Sequence, residues 1–186
     1  WSSDGVLFRS MILVEQRNQF VKYLHDLLKE NNIPVIPQDR INIAQEISTQ
    51  DLIALGKFLL LPDDDLNLAT ILVSPIFNLS QKKLHDLAIN RGNISLWEHL
   101  IKQQKYHHIV KDLKELMNMI DYKSPFMIYN HLLVKMHVRD KFILRFGEYV
   151  EEILVQFNDL ILEFEQNNNH SLEEFIHWFA ENGNIN

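Results

Sequence analysis

Residues 50–80 read QDLIALGKFLLLPDDDLNLATILVSPIFNLS, and the punctuation of this stretch decides the fold. Leu52, Ile53, Leu55, Phe58, Leu59 and Leu60 cover most of the circumference of one helix. A helix that is apolar nearly all round belongs at the centre of a domain. Pro62 stops it, and Asp63, Asp64 and Asp65 form a corner. One of these carboxylates is expected to N-cap a second helix, 66–73, where it accepts free N–H groups at the positive end of the helix dipole. Ser74-Pro75 ends that helix, and Asn78-Leu79-Ser80 begins a third. The stretch is therefore three helices joined by two chemically specified corners.

Working outward, helical punctuation continues to the end of the chain. Ser48-Thr49 is expected to cap the central helix, which runs through Leu61. Ser80 caps 81–90, Arg91-Gly92-Asn93 makes the following turn, and Ser95 caps a helix through about Lys102. A stripe over 106–122 follows, and Ser124-Pro125 opens a helix with proline in its first turn. The segment 137–146 reads as a shorter helix ending at Gly147. The longest stripe spans 148–165. Ser171-Leu172-Glu173-Glu174 is a capping box that opens the last helix, through Ala180. Toward the N-terminus, Met11-Ile12-Leu13-Val14 and Ile33-Pro34-Val35-Ile36 read as short strands flanking a helix over 18–31. Asn31-Asn32 ends that helix. Two strands cannot make a stable sheet alone, so this βαβ-like piece is expected to complete a sheet supplied elsewhere. The fold class is thus mainly α, a short βαβ-like fragment followed by an all-helical domain.

Bulk properties narrow the function. The 186 residues carry 46% hydrophobic and 23% charged residues, with 11 Phe, 3 Trp and 5 Tyr, a core-forming composition. No apolar run is long enough to cross a bilayer, so no membrane partner is expected. The absence of cysteine excludes disulfides, thiolate chemistry and Cys-based zinc sites, and suits the reducing cytoplasm. A net charge of −7 excludes phosphate binding over the whole surface, so any nucleic-acid contact must be local.

Most candidate sites have a simpler explanation. The three adjacent aspartates lack calcium-loop spacing, and capping accounts for them. His107, His108, His131, His137, His170 and His177 lack metal-ligand spacing and read as surface or interface residues. No G-x-S-x-G and no G-x-x-x-x-G-K-[ST] occurs, and five glycines in the whole chain leave little room for a phosphate-cradling loop. No catalytic, cofactor or metal residue is therefore assigned. Lys82 and Lys83, one turn into a helix that starts at Ser80, have two readings. They form either a phosphate-backbone clamp with the helix N-terminus or an ordinary solvated face.

The order of these segments resembles the UvrD/RecB-like superfamily 1 DNA helicases, most closely the AddA type of double-strand break repair. Met11-Ile12-Leu13-Val14 with Gln16-Arg17-Asn18-Gln19-Phe20 resembles the family's I-L-V-R-x-R-N-x-F strand-to-helix segment. LLKENNIPVI (27–36) resembles its connector into the inserted accessory domain 2B, and Leu61-Pro62-Asp63-Asp64-Asp65-Leu66 its N-P-x-D-D-x. The corner 74–80 sits where the family has x-x-P-x-R-G-I-G, here without glycine, and Glu15 stands for the usual Arg. Further likeness lies in NISLWEHL (93–100), Arg145-Phe146-Gly147 and 171–178.

The resemblance implies several things. Residues 11–37 would belong to the RecA-like motor domain 2A, and 38–182 would be the helical 2B domain. Asn78, Ser80, Lys82 and Lys83 would contact DNA. The parent would be a bacterial ATP-dependent DNA helicase, with exonuclease, acting beside an AddB-like subunit. ATP and Mg²⁺ would be handled outside this segment, which needs no cofactor of its own. Residues 1–10, with GVLFRS like a translated sequencing adapter, read as foreign, and 183–186 as a severed linker. The competing reading is a non-enzymatic helical protein-interaction domain.

Overall fold

The computed structural model describes residues 23–24, 27–28, 31, 33, 42–167 and 171–182. Backbone contacts divide the chain into two units, Trp1–Arg40 and Ile41–Asn186. In the first unit, Tyr23, Leu24, Leu27 and Leu28 are helical. The Asn31 N–H (3.2 Å) and its side-chain amide (2.7 Å) both donate to the Leu27 carbonyl, and the Ile33 N–H donates to the Leu28 carbonyl at 2.9 Å. These bonds close the helix end where Asn31 is expected to close it. Ile33 itself is irregular and half-exposed. The strand expected at 11–14, and 34–36 of the second, lie outside the described residues, as do 1–10 and 183–186.

All regular structure among the described residues of the second unit is helical. A 3₁₀ turn, Ile43–Gln45, precedes α1 (Ile47–Leu60), followed by α2 (Asp65–Val73), α3 (Gln81–Ile89) and α4 (Leu96–Lys102). A second 3₁₀ turn, Gln104–Tyr106, leads into α5 (His107–Met117). Then come α6 (Pro125–Asn130), a π turn (His131–Lys135), α7 (Val138–Phe146), α8 (Tyr149–Asn167) and α9 (Leu172–Asn182). The apolar circumference of α1 is used as its sequence demands. It packs against α2, α5, α8 and α9, and Leu52, Leu55 and Phe58 are fully buried. Each such side chain stabilises the fold by roughly 1.5–3 kcal/mol of transfer free energy.

Where α8 and α9 meet α6 and α1, aromatic side chains fill the core. Tyr129 meets Phe157 edge-on at 5.1 Å between centroids and Phe175 at 5.9 Å. Phe157 in turn packs on Phe179, and Phe164 on Phe175. Offset and edge-on geometries of this kind are favoured by the ring quadrupole.

Local capping chemistry is realised in part. Ser95 accepts from the Glu98 N–H at 3.2 Å, and Ser171 from the Glu174 N–H at 3.2 Å. Gly92 (φ 64°) and Gly147 (φ 90°) take the left-handed or extended positive-φ conformations that end helices.

Two expectations need correction. Ser48 and Thr49 do not cap α1. The helix begins one residue before them, at Ile47, and their hydroxyls are buried without a hydrogen-bond partner. Both side chains lie inside the helix's first turn and are buried there, so neither stands at the N-cap position, which Glu46 occupies. The stripe over 106–122 is helical only to Met117, after which i→i+3 bonds from Met119 and Ile120 turn the chain and pack both residues against the core. Ser124-Pro125 opens α6 with proline in its first turn, as expected, and Ser124 makes no side-chain cap. Instead Glu165, 39 residues later on α8, accepts the Phe126 N–H at 2.7 Å.

The histidines divide as surface residues. His107, His108, His137 and His177 are exposed, and half-buried His131 meets Glu115 at 2.9 Å. His170 lies outside the described residues. Among those residues no group of three or more His, Asp or Glu is placed to hold a metal ion, and no helix is long and apolar enough to cross a membrane.

Candidate functional site

The two corners of the opening stretch are built differently. At the first, Asp64 N-caps α2, accepting the Asn67 N–H at 3.0 Å and the Asn67 side-chain amide at 2.6 Å. The hydrogen bond from the Asn67 backbone holds the Asp64 carboxyl below the usual carboxylate range. Asp65 reaches across to the turn after α3, where it pairs with Arg91 and accepts the Leu96 N–H at 2.6 Å. Capping and bridging occupy both carboxylates. Asp65→Ala therefore leaves Arg91 and the first N–H of α4 without this partner. It is expected to cost about 1–2 kcal/mol in urea unfolding, with Asp63→Ala near zero because Asp63 is exposed.

The second corner, 74–80, turns without glycine. The Ser74 hydroxyl donates to the Ile71 carbonyl at 2.8 Å and accepts the Ile76 N–H at 3.2 Å, which satisfies the end of α2. Asn78 takes φ 50°, the left-handed conformation that asparagine tolerates better than most side chains. Its N–H donates to the Ser74 carbonyl at 2.8 Å, and the Leu79 N–H to the Leu72 carbonyl at 2.8 Å. Buried Ile76 and Leu79 pin the turn from below, and Lys141 of α7 donates to the Ile76 carbonyl at 2.8 Å. Asn78 and this tertiary tie thus hold the turn without a glycine.

This anchoring leaves the start of α3 facing water. Ser80 accepts the Lys83 N–H through its hydroxyl at 3.4 Å and the Leu84 N–H through its carbonyl at 3.0 Å. The N–H groups of Gln81 and Lys82 make no hydrogen bond within the described residues. Asn78, Ser80, Lys82 and Lys83 are all exposed, and neither lysine is in an ion pair among the described residues. The four residues named from sequence therefore lie together on one corner, with donors and positive charge directed outward.

Beside the corner lies a cleft of about 570 Å³. Ile47, Val73, Pro75, Leu79 and Phe146 supply its apolar lining. Asn78, Ser80, Gln81 and Arg145 are exposed residues at its rim. Asp51, only 6% exposed, is its innermost charged group, and no hydrogen bond or ion pair engages its carboxyl among the described residues. Burial pushes that carboxyl up to about 7.

Sequence reasoning did not single out Asp51. The available signal was an acidic residue at the start of a helix otherwise nearly all apolar. Arg145 is exposed on α7, 65 residues from Ser80, and no local pattern connects the two. The chain matches no protein-family model and no curated protein.

Proposed function

We propose that the helical residues 38–182 are a DNA-contacting accessory domain of the 2B kind, carried by an AddA-like ATP-dependent helicase that works with an AddB-like subunit in double-strand break repair. The observation that carries this reading is the corner 74–80. It presents two backbone N–H groups and two lysines without a partner among the described residues, at the start of a nine-residue helix. Helix starts with free N–H groups and nearby cations suit phosphate oxygens, which position a protein on a nucleic acid without reading its sequence. Asn78 keeps the chain in the tight turn that lets this helix start stand clear of the core. The order of segments in the sequence supports the parent, since a βαβ-like stretch resembling the RecA-like domain 2A precedes the helical residues. ATP, Mg²⁺ and the nuclease carboxylates belong to other parts of such a parent.

The test is duplex binding by the 186-residue chain, followed by fluorescence anisotropy between 50 and 200 mM salt. The double variant Lys82→Glu, Lys83→Glu is expected to bind more weakly. Its slope of log affinity against log salt should be smaller by about 2, close to one released counterion per lysine. An unchanged slope rejects the corner as the contact. A gene with no P-loop encoded upstream of this segment rejects the helicase parent.

A further inference from the structure

The cleft beside the corner adds what a pure backbone contact does not need, a buried acceptor. Asp51 sits inside, 94% buried by its 6% exposure, with no partner among the described residues. A charged group so placed is costly unless something pairs with it. The rim carries the opposite chemistry: Arg145, the hydroxyl of Ser80 and the unengaged start of α3. The same cleft is also lined by Phe146, Pro75 and Val73. A ligand that matches all three zones has an anion at one end, a flat apolar body, and hydrogen-bond donors at the other end. Its size must suit about 570 Å³, within the ~300–1,000 Å³ of small-molecule sites.

We propose that this cleft receives one unpaired nucleotide, with its phosphate at the start of α3, its base against Phe146 and Pro75, and donors of the base edge on Asp51. The carboxylate selects among bases. Guanine presents two adjacent donors, N1–H and the N2 amino group, which match the two oxygens of a carboxylate. Adenine and cytosine place a ring-nitrogen acceptor beside their amino group, and thymine flanks its single N–H with carbonyls, so each sets an acceptor against Asp51. Guanine is therefore the preferred base. The inference rests on the corner 74–80 as a nucleic-acid contact and adds the identity of the unit it holds. Taking one base out of a duplex costs a few kcal/mol, so single-stranded or already unpaired guanine is the expected substrate.

The test compares labelled single strands binding to the 186-residue chain at pH 8, one all-dT and one with a single central dG. The dG strand is expected to bind about tenfold tighter, the scale of one good bidentate base contact. Asp51→Asn should abolish that preference while leaving the slope of log affinity against log salt for all-dT unchanged, with circular dichroism showing the variant folded. Equal affinity for both strands, or a preference that survives Asp51→Asn, overturns the nucleotide site while the backbone contact stands. Failure to bind either strand or duplex overturns both.

Discussion

Gly56→Ala is expected to destabilise the domain by about 2 kcal/mol, although alanine is the better helix former by about 1 kcal/mol. The reason is a crossing point in the core. A Cβ on Gly56 would lie 2.5 Å from the Tyr129 Oη and 2.6 Å from the Ile176 Cδ1. Ile176 can yield, because its Cδ1 is the free end of a flexible side chain. Tyr129 cannot. Its ring is fully buried between Phe157 and Phe175, and its hydroxyl donates to the Leu52 carbonyl at 3.1 Å. That carbonyl is the helical partner of the Gly56 N–H, so the tyrosine docks onto the turn of α1 that the missing side chain leaves open.

Tyr129→Phe alone should cost about 1 kcal/mol, the net value of one buried hydrogen bond. It also removes the obstructing oxygen. In the double variant the two costs should therefore sum to less than their separate values, by roughly 1 kcal/mol. Urea unfolding of the four proteins measures this. Strict additivity would show that Gly56 is set by something other than Tyr129. Gly56→Val, which adds two further carbons at the same point, should cost about 3 kcal/mol or more.

Asp51→Asn is expected to stabilise the domain at pH 8 by roughly 1–3 kcal/mol and to change it little at pH 4. The sign follows from the direction of the shift. Burial raises the native carboxyl to about 7 against 3.8 for the ordinary group, so the folded state holds a proton that the unfolded state has released. Between these values stability falls as pH rises, and above pH 7 the full penalty of a buried unpaired carboxylate is present. Asparagine has nearly the same shape and no charge to desolvate. Thermal melts of the two proteins from pH 4 to 8 should diverge steadily with pH. Parallel curves would mean that Asp51 is ionised and solvated throughout. If the cleft holds a guanine base, the destabilising carboxylate is also the group that recognises it, a familiar conflict between stability and binding.

The helical skeleton was legible because its signals are local. An all-round apolar α1, proline after it, Asp64 and Ser80 as caps, and Gly92 and Gly147 as stops are each read within one or two turns of chain. The exposed quartet Asn78, Ser80, Lys82 and Lys83 was legible for the same reason, since all four belong to one turn and the helix it begins. Ser48 and Thr49 show where local reading fails. Each has the chemistry of a cap, yet both lie inside α1 with their hydroxyls buried.

By itself, the sequence determined where most of the helices begin and end, that α1 is central, and that no metal-ligand or phosphate-loop spacing is present. Tertiary structure alone decided that Asp51 is buried in a cleft, that Arg145 and Phe146 border it, and that Lys141 secures the corner through Ile76. It also decided that Tyr129 fits against Gly56, 73 residues away. Periodicity and capping act over three or four residues and leave a trace in any short window of sequence. Burial of a charge, or a hydroxyl's choice of carbonyl, depends on which distant helix arrives beside it, and no short window records that.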